Sequence, residues 1–379
     1  MNTSTPVGLH SPAVVQAARV DPGARLVVTP TAVWIASLLP ITATLLPLLK
    51  SGRNWIRVWD YPRLQLAAWL AGALAAQRLL LPRGRARACL TAATMGSLAW
   101  QLWRIYPYTP AARVQVLPAT QKDDERSVGV LITNVLQTNR NAPALLERID
   151  EVDPDIILAL ETDAWWGRQL GVLAERYPFA VHQPLENRYG MHLFSRLELT
   201  DVKVLYRVEP DVPSIAALLH LRSGAVIDLH CLHPKPPGVG QDVDERDAEL
   251  LIVGHEVEAS ARPAIVCGDL NDVAWSGTTR LFQRISRMLD PRVGRGLYAT
   301  FHADYPFARW PLDHLFHDAT FALRQLQVLA SIGSDHFPIY VQLLHDPALA
   351  RHHEVPVADG EDHRDASERI AEGLEDNDR

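Results

Sequence analysis

The first third of the chain contains long apolar stretches with few charges, and the rest continues as short apolar runs that stop at polar residues. The long stretches cover Leu26 to Leu49, Leu64 to Leu81 and Ala88 to Tyr106. Each approaches the roughly 20 apolar residues that a membrane-spanning helix needs. The pattern therefore predicts three transmembrane helices within residues 26–106, preceded by a leader (residues 1–25) that has no clear pattern. A buried helical hairpin of a soluble domain is the alternative.

A different pattern follows the apolar region. Residues 107–126 contain prolines and polar residues and are typical of a linker. From Ser127 onward, short β-type runs alternate with helical patterns, which predicts a layered α/β catalytic or binding domain over residues 127–345. Residues 346–379 are acidic and poor in apolar side chains. Such a composition predicts a disordered acidic tail.

The charge is unevenly distributed along the chain, which has a net charge of −7 over 379 residues. Residues 1–126 carry +9, residues 127–345 carry −9 and residues 346–379 carry −7. An acidic middle region disfavours unspecific binding to a nucleic-acid backbone, because that binding relies on many Lys and Arg contacts. The three cysteines exclude a disulfide framework.

Most of the predicted core strands stop at, or start from, an acid, an amide or an imidazole. These residues are Asn134, Glu161, His233, Asp269 with Asn271, Asp313, and Asp335 with His336. Each has a structural explanation of its own, such as a turn at residues 268–271 or a favourable acid at a helix N-terminus for Glu161. Together they predict a polar site at one edge of a sheet, where α/β enzymes place their active sites.

The residues around these strand ends form motifs in a fixed order. Leu160-Glu161, Gly268-Asp269-Leu270-Asn271, Leu312-Asp313-His314 and Gly333-Ser334-Asp335-His336 resemble the motifs of the endonuclease/exonuclease/phosphatase superfamily. The resemblance implies a DNase I-like α/β fold, a four-layered sandwich of two packed β-sheets flanked by helices. The apolar stretches, with Asp60 to Gln65 between the first two, resemble a bacterial membrane-anchored subgroup, in which an α-helical transmembrane region precedes this domain.

The resemblance also implies roles for the individual residues. Glu161 would be the main ligand of Mg²⁺, or alternatively Mn²⁺, with Asn134 and Asp335 completing the metal shell; these oxygen ligands suit such cations. Asp269 would activate the attacking water, and Asn271 would bind the phosphate. His336, oriented by Asp313, would stabilise the transition state. His233 would contact the phosphate or the leaving group. His230, three residues before His233, is expected to be structural.

These expectations combine into a membrane-anchored, metal-dependent phosphoesterase. Its substrate would be a phosphoester, either a phosphodiester of a nucleic acid or phospholipid or an inositol phosphate, and nothing indicates an obligate protein partner. A non-catalytic binding or scaffold protein with the same fold is the alternative; a transporter is disfavoured because the apolar stretches carry no charge near their centres. Three arginines in residues 82–87 predict a multi-pass protein of the inner (cytoplasmic) membrane with a periplasmic catalytic domain. Lys50, Arg53, Arg57 and Arg63 in the preceding loop favour the opposite orientation.

Overall fold

Two mixed β-sheets packed face to face form the centre of the molecule. The computed structural model describes residues 29–49, 51–121, 123–238 and 241–377, so the predicted leader, residues 1–25, lies outside the described residues. Within the described part the strands alternate with helices in the order expected for a layered α/β domain.

The first sheet has six strands in the order β10-β11-β1-β2-β4-β3. Its strands are β1 (Ser127–Asn134), β2 (Ile156–Leu160), β3 (Phe179–Gln183), β4 (Met191–Ser195), β10 (Phe321–Val328) and β11 (Ile339–His345). The second sheet has the order β5-β6-β7-β8-β9. Its strands are β5 (Leu199–Leu205), β6 (Ser214–His220), β7 (Val226–Leu232), β8 (Ala264–Asp269) and β9 (Asp313–His317). The β1–β2 and β7–β8 pairs are parallel, and all other neighbours are antiparallel.

Helices cover the outer face of each sheet. The helices α5 (Ala142–Val152) and α6 (Ala164–Leu170) pack on the six-stranded sheet. The helices α7 (Asp244–Ala259) and α8 (Gly277–Ser286) pack on the five-stranded sheet. Apolar residues of both inner faces form one core between the sheets, as in other sandwiches. The expectation of a four-layered α/β sandwich is therefore confirmed.

The three apolar stretches form helices that pack on one another. They are α1 (Pro30–Leu45), α3 (Arg63–Leu80) and α4 (Arg85–Ile105), with the short α2 (Asn54–Arg57) after α1. In the part of the chain that the structure describes, only Pro30–Leu48 has the length and apolar content of a membrane span. A signal sequence or a buried core helix meets the same criterion. The prediction of three spans is thus not supported by this criterion, because glutamines and arginines lower the apolar content of α3 and α4.

The bundle of α1, α3 and α4 carries polar side chains inside and large apolar ones outside. Gln77 Nε2 donates hydrogen bonds to Ser37 Oγ at 2.9 Å and to Thr94 Oγ1 at 2.8 Å, next to a small apolar cluster around Leu70. The large apolar side chains exposed on the outside include Ile35, Leu38, Leu39, Leu45, Trp69, Leu79, Leu80, Met95, Leu102 and Trp103. A soluble bundle would instead carry mainly polar side chains on its outer face.

The described part of the predicted linker packs against the sandwich. Val116 is buried in the core between the sheets, and the backbone N–H of Ala119 donates to the carbonyl of Leu323 at 2.8 Å. The described part of the segment therefore packs on the sandwich and connects it to the helical bundle.

The prediction that residues 346–379 form a disordered tail is wrong for most of the segment. A 3₁₀ turn at Pro347–His352 is followed by the helix α9 (Gly360–Asn377). Ala366 is completely buried among residues of α7 and α8, and Arg284 binds both carboxylate oxygens of Asp362 at 2.7 Å. A side chain at Gly373 would collide with the Asp244 carbonyl. The helix docks through small residues and ion pairs, which a count of apolar residues does not detect.

Candidate active site at the sheet edge

The strand order brings the predicted polar residues to one edge of the sandwich. In the first sheet, Asn134 ends β1, Glu161 follows β2, and the antiparallel β11 starts beside the end of β1. In the second sheet, Asp269 at the end of β8 pairs with Asp313 at the start of β9. The side chains meet across the two sheets, because Asn134 Nδ2 donates a hydrogen bond to Asp269 Oδ2 at 3.1 Å.

Asp269 lies at the centre of this group. Its Oδ2 is 3.5 Å from His336 Nε2 and 3.9 Å from His233 Nε2, and its Oδ1 accepts a hydrogen bond from the Asn271 backbone at 3.0 Å. The side chain is 1% exposed. Burial raises the pKa of Asp269, and Asp313 adds to this effect, while the two imidazoles oppose it. The carboxylate is therefore a better proton acceptor than a solvated one.

His336 forms a tight pair with Asp313. The ring Nδ1 and Asp313 Oδ2 are 2.8 Å apart, and both side chains are buried. Burial alone would lower the pKa of His336, but the negative charges of Asp313 and Asp269 outweigh it and raise the pKa to about 10. The ring is consequently an imidazolium at neutral pH, with its Nε2–H directed towards Asp269. The site thus holds a fixed positive charge beside its carboxylates.

Glu161 lies beside Asn134 at the half-buried mouth of the site. Its Oε1 accepts a hydrogen bond from Asn134 Nδ2 at 3.0 Å, and its Oε2 accepts one from the Gln137 backbone at 3.2 Å. The φ angle of Glu161 is +59°, in the left-handed region that non-glycine residues rarely adopt. Strain of this kind is commonly found at functional sites.

Two predicted residues contact the group less directly. Asn271 uses its side-chain Nδ2 to bind the carbonyl of Pro234 at 3.0 Å, so its contact with Asp269 is through the backbone. Among the described residues, the only hydrogen-bonding group near the carboxylate of Asp335 is the hydroxyl of Ser334, with Oγ 3.3 Å from Oδ1. It remains half-exposed next to His336.

The oxygen atoms of this group fit a hard divalent cation. Glu161 keeps acceptor capacity on both oxygens, and Asn134 and Asp335 add an amide and a second carboxylate, the ligand types of Mg²⁺ and Mn²⁺. Ligand atoms of Asp269, Asp313 and His336 also lie within 4.8 Å of one another. However, both ring nitrogens of His336 face carboxylates, and a protonated imidazole has no free lone pair for a metal. Glu161 is therefore the better centre for a cation.

The two histidines near the end of β7 have different surroundings. His233 is 3.9 Å from Asp269 and its ring lies 5.8 Å from that of Tyr189. His230 lies 3.7 Å from Glu256 of α7, on the helix-covered side of the sheet. The structure thus brings His233, and not His230, to the group around Asp269.

Several residues at the site were not identified from the sequence. Tyr61 donates its hydroxyl to the Asn271 carbonyl at 2.6 Å, and Phe301 packs on the His336 ring with a centroid distance of 4.8 Å. Ser334 donates to the Asn134 carbonyl at 2.8 Å and accepts from the His336 backbone at 3.1 Å. Ser334 belongs to a motif already noted and Tyr61 to the Asp60 to Gln65 segment, so the resemblance to the family pointed to the neighbourhood of both residues. No sequence pattern pointed to Phe301.

A sequence model of the endonuclease/exonuclease/phosphatase family matches residues 131–336 of the chain. The chain belongs to this family. The match contains every predicted site residue, and membership places the chain among hydrolases of phosphoesters. A comparison with curated proteins gives no match.

Solved structures with a similar fold come from several organisms. The human nocturnin catalytic domain with bound sulfate is 17% identical, with a TM-score of 0.48, covering 63% of this chain and 99% of that one. The mannosyl-6-phosphatase of Bacteroides thetaiotaomicron is 19% identical, with a TM-score of 0.45, covering 57% and 99%. Danio rerio TDP2 complexed with single-strand DNA product is 14% identical, with a TM-score of 0.47, covering 57% and 98%. Similarities of this size carry no information on the substrate.

Proposed function

We propose that the protein is a membrane-anchored, divalent-metal-dependent phosphoesterase that hydrolyses a phosphodiester by in-line attack of water. The observation that carries the proposal is the position of Asp269, a buried carboxylate that lies 3.5 Å from the cationic His336 and is bonded through Asn134 to Glu161. An anionic substrate at this point meets a proton acceptor, a proton donor and a set of metal ligands together.

Each residue has a chemical task in this proposal. Asp269 orients the attacking water and accepts its proton, which its raised pKa favours. His336 donates its Nε2–H to a phosphoryl oxygen as negative charge develops there, and Asp313 keeps the ring oriented through Nδ1. His233, whose Nε2 is 3.9 Å from Asp269 Oδ2, contacts the phosphate or the leaving group. When bound at Glu161, with Asn134 and Asp335, Mg²⁺ or Mn²⁺ supplies neutralisation of the phosphate charge.

The helical bundle supports anchoring in a membrane. Leu79 is 79% exposed and Trp103 is 55% exposed, although such side chains in a soluble protein avoid contiguous contact with water. The polar contacts of Gln77 and Gln101 are inside the bundle, where helix pairs in a bilayer hydrogen-bond to one another. This arrangement favours α3 and α4 as membrane helices beside α1. The periplasmic position of the catalytic domain stays a prediction.

The charge of the catalytic domain bears on the substrate. Residues 127–345 carry −9, and a nucleic-acid backbone is bound chiefly through Lys and Arg. A phospholipid-type diester requires fewer such contacts and is available at a membrane surface. We therefore place phospholipid-type diesters before nucleic acids as substrates.

Hydrolysis by the full chain in detergent micelles tests the proposal. The substrates are DNA, RNA, phosphatidylcholine and a soluble aryl phosphodiester, each with Mg²⁺ or with EDTA. The variants are Glu161→Gln and His336→Ala, and the controls are Glu175→Gln and His352→Ala, which alter exposed residues of the same types. We expect Mg²⁺-dependent turnover that falls about 100-fold or more in both variants and is retained in both controls. Turnover that survives EDTA, or that survives both variants, would contradict the proposal.

A further inference from the structure

A cavity of about 230 Å³ lies between the end of α4 and the helix α8, away from the residues of the candidate active site. Arg104, Arg280 and Arg284 line it together with the polar side chains of Tyr108, Gln115 and Gln283. The other residues around it are Pro107, Val293 and Pro356, so three guanidinium groups converge with no carboxylate in the lining. This is unexpected in a chain with a net charge of −7.

Two of the three guanidinium groups lack an anionic partner. Arg284 is held by Asp362 through two hydrogen bonds of 2.7 Å. Arg104 donates to the neutral carbonyl of Trp275, and its Nε is buried without a hydrogen-bond partner. The Arg280 guanidinium makes no hydrogen bond or ion pair with any residue that the structure describes, and it lies 5.8 Å from the ring centroid of Trp103.

Arg104 and Arg280 are half-buried, so water solvates their unpaired charges incompletely and an anion in the cavity would stabilise them. Burial lowers the pKa of Arg280, Tyr108 opposes this effect, and the neighbouring Arg284 adds to it. Buried charges in proteins are normally paired, and convergent guanidinium groups match the oxygen atoms of a phosphate group. We propose that the cavity is a binding site for an anionic phosphate group, with Arg280 and Arg104 as its main ligands.

The surroundings of the cavity indicate where the phosphate group comes from. Leu102, Trp103 and Tyr106 at the same end of α4 are exposed, as interfacial residues of a membrane helix would be. A basic pocket beside interfacial residues would meet the headgroups of anionic lipids. The lipid source rests on the membrane anchoring proposed above, whereas the anion site itself does not, and free phosphate has the same chemistry.

Binding to the full chain in detergent, with EDTA present, tests the site and separates the two sources. One arm titrates inorganic phosphate and follows thermal stability; the other titrates phosphatidylglycerol or the zwitterionic phosphatidylcholine and counts bound lipids by native mass spectrometry. The variant is Arg280→Gln, Arg280→Lys retains the charge, and Arg168→Gln removes an exposed arginine that has no partner among the described residues.

We expect phosphatidylglycerol to bind Arg280→Gln about tenfold more weakly than the wild type, because a hydrogen-bonded ion contact is lost. Arg168→Gln should bind phosphatidylglycerol as tightly as the wild type does, and Arg280→Lys should bind it with intermediate affinity. Phosphatidylcholine should bind equally to the wild type and to Arg280→Gln. Discrimination by inorganic phosphate alone would support the site with a free anion as its ligand. Equal binding of both anions to the wild type and to Arg280→Gln overturns the proposal.

Two further measurements distinguish loss of the anion site from unfolding and from loss of the phosphoesterase activity. Without any anion, Arg280→Gln should unfold at a temperature no lower than the wild type, because an unpaired charge has been removed; a lower temperature contradicts the proposal. Metal-dependent hydrolysis by the wild type is measured in the same preparation. If the wild type shows no metal-dependent hydrolysis, the phosphoesterase proposal is contradicted and the anion site is not. If anion binding does not depend on Arg280, the anion site is contradicted and the phosphoesterase proposal is not.

Discussion

The hydroxyl of Tyr61 donates a hydrogen bond of 2.6 Å to the backbone carbonyl of Asn271. Arg246 Nη1 donates to the same carbonyl at 2.8 Å. Burial raises the pKa of Tyr61 above its ordinary value, so the hydroxyl remains a donor at every physiological pH. A residue between α1 and α3 thereby holds the loop whose Asn271 backbone N–H binds Asp269, which links the helical bundle to the candidate active site.

Replacing Tyr61 by Phe removes this contact and little else. We expect kcat to fall about threefold to tenfold, because the loop carbonyl loses one of two donors and Asp269 loses part of its orientation. KM for a soluble diester should change less than kcat. The control is Tyr106→Phe, which deletes an exposed hydroxyl that also binds a backbone carbonyl, that of Ala111. Equal kinetics for the Tyr61 variant and the wild type would refute the link.

Replacing Asp313 by Asn tests the charge on His336. Burial alone lowers the pKa of His336, and Asp313 is the largest opposing influence behind its value of about 10. In the Asn variant the imidazolium should therefore lose its proton at a much lower pH. We expect kcat/KM to fall about 100-fold at pH 7.5, with the alkaline loss of activity shifted downward in a profile from pH 5 to 10. A pH profile with the wild-type shape would contradict the assignment of the positive charge on His336 to Asp313. The control is Asp304→Asn, at an exposed position.

Glu249 of α7 should make stability fall with rising pH. Burial raises its pKa from 4.5 to about 8, and its Oε1 lacks a hydrogen-bond partner among the described residues. Between these two pH values the unfolded state has lost the proton that the folded state keeps. Folding therefore becomes less favourable by up to about 1.4 kcal/mol per pH unit, and the effect is absent below pH 4.5.

Thermal unfolding of Glu249→Gln checks this dependence. The variant cannot ionise, so its unfolding temperature should exceed that of the wild type at pH 8 by about 2 °C or more and match it near pH 4.5. Glu175→Gln, at an exposed position, should follow the wild type throughout. A constant difference between Glu249→Gln and the wild type across this range would argue against a shifted carboxyl.

Two alanines of α9 test whether the C-terminal segment docks as a helix. Ala366 is completely buried, whereas Ala371 is exposed. We expect Ala366→Asp to lower the free energy of unfolding by about 2–4 kcal/mol, because a charge enters an apolar contact, and Ala371→Asp to leave it nearly unchanged. Both are measured by urea denaturation. Identical curves for the two variants would mean that the segment does not pack on α7 and α8.

The sandwich and the position of its site could be predicted because the end of each strand is visible in the sequence as an apolar run followed by a polar residue. Asn134, Glu161, Asp269 and His336 each adjoin an apolar strand, and they meet at one edge because the parallel pairs end there and the antiparallel β9 and β11 start there. Tyr61 could not be assigned, since its contact with Asn271 joins residues 210 positions apart. The helix α9 was missed for a similar reason: its partners, Arg284 and Asp244, lie far away in the sequence, and composition alone counts only its charges.

The central claim is that Asp269 activates water at this sheet edge, and Asp269→Asn tests it most directly. Asn has nearly the same shape and removes a buried charge, so the fold is expected to remain intact by circular dichroism. We predict that kcat/KM for Mg²⁺-dependent hydrolysis of a soluble aryl phosphodiester falls about 1,000-fold or more, while Asp304→Asn retains it. Hydrolysis by Asp269→Asn at the wild-type rate would contradict the account.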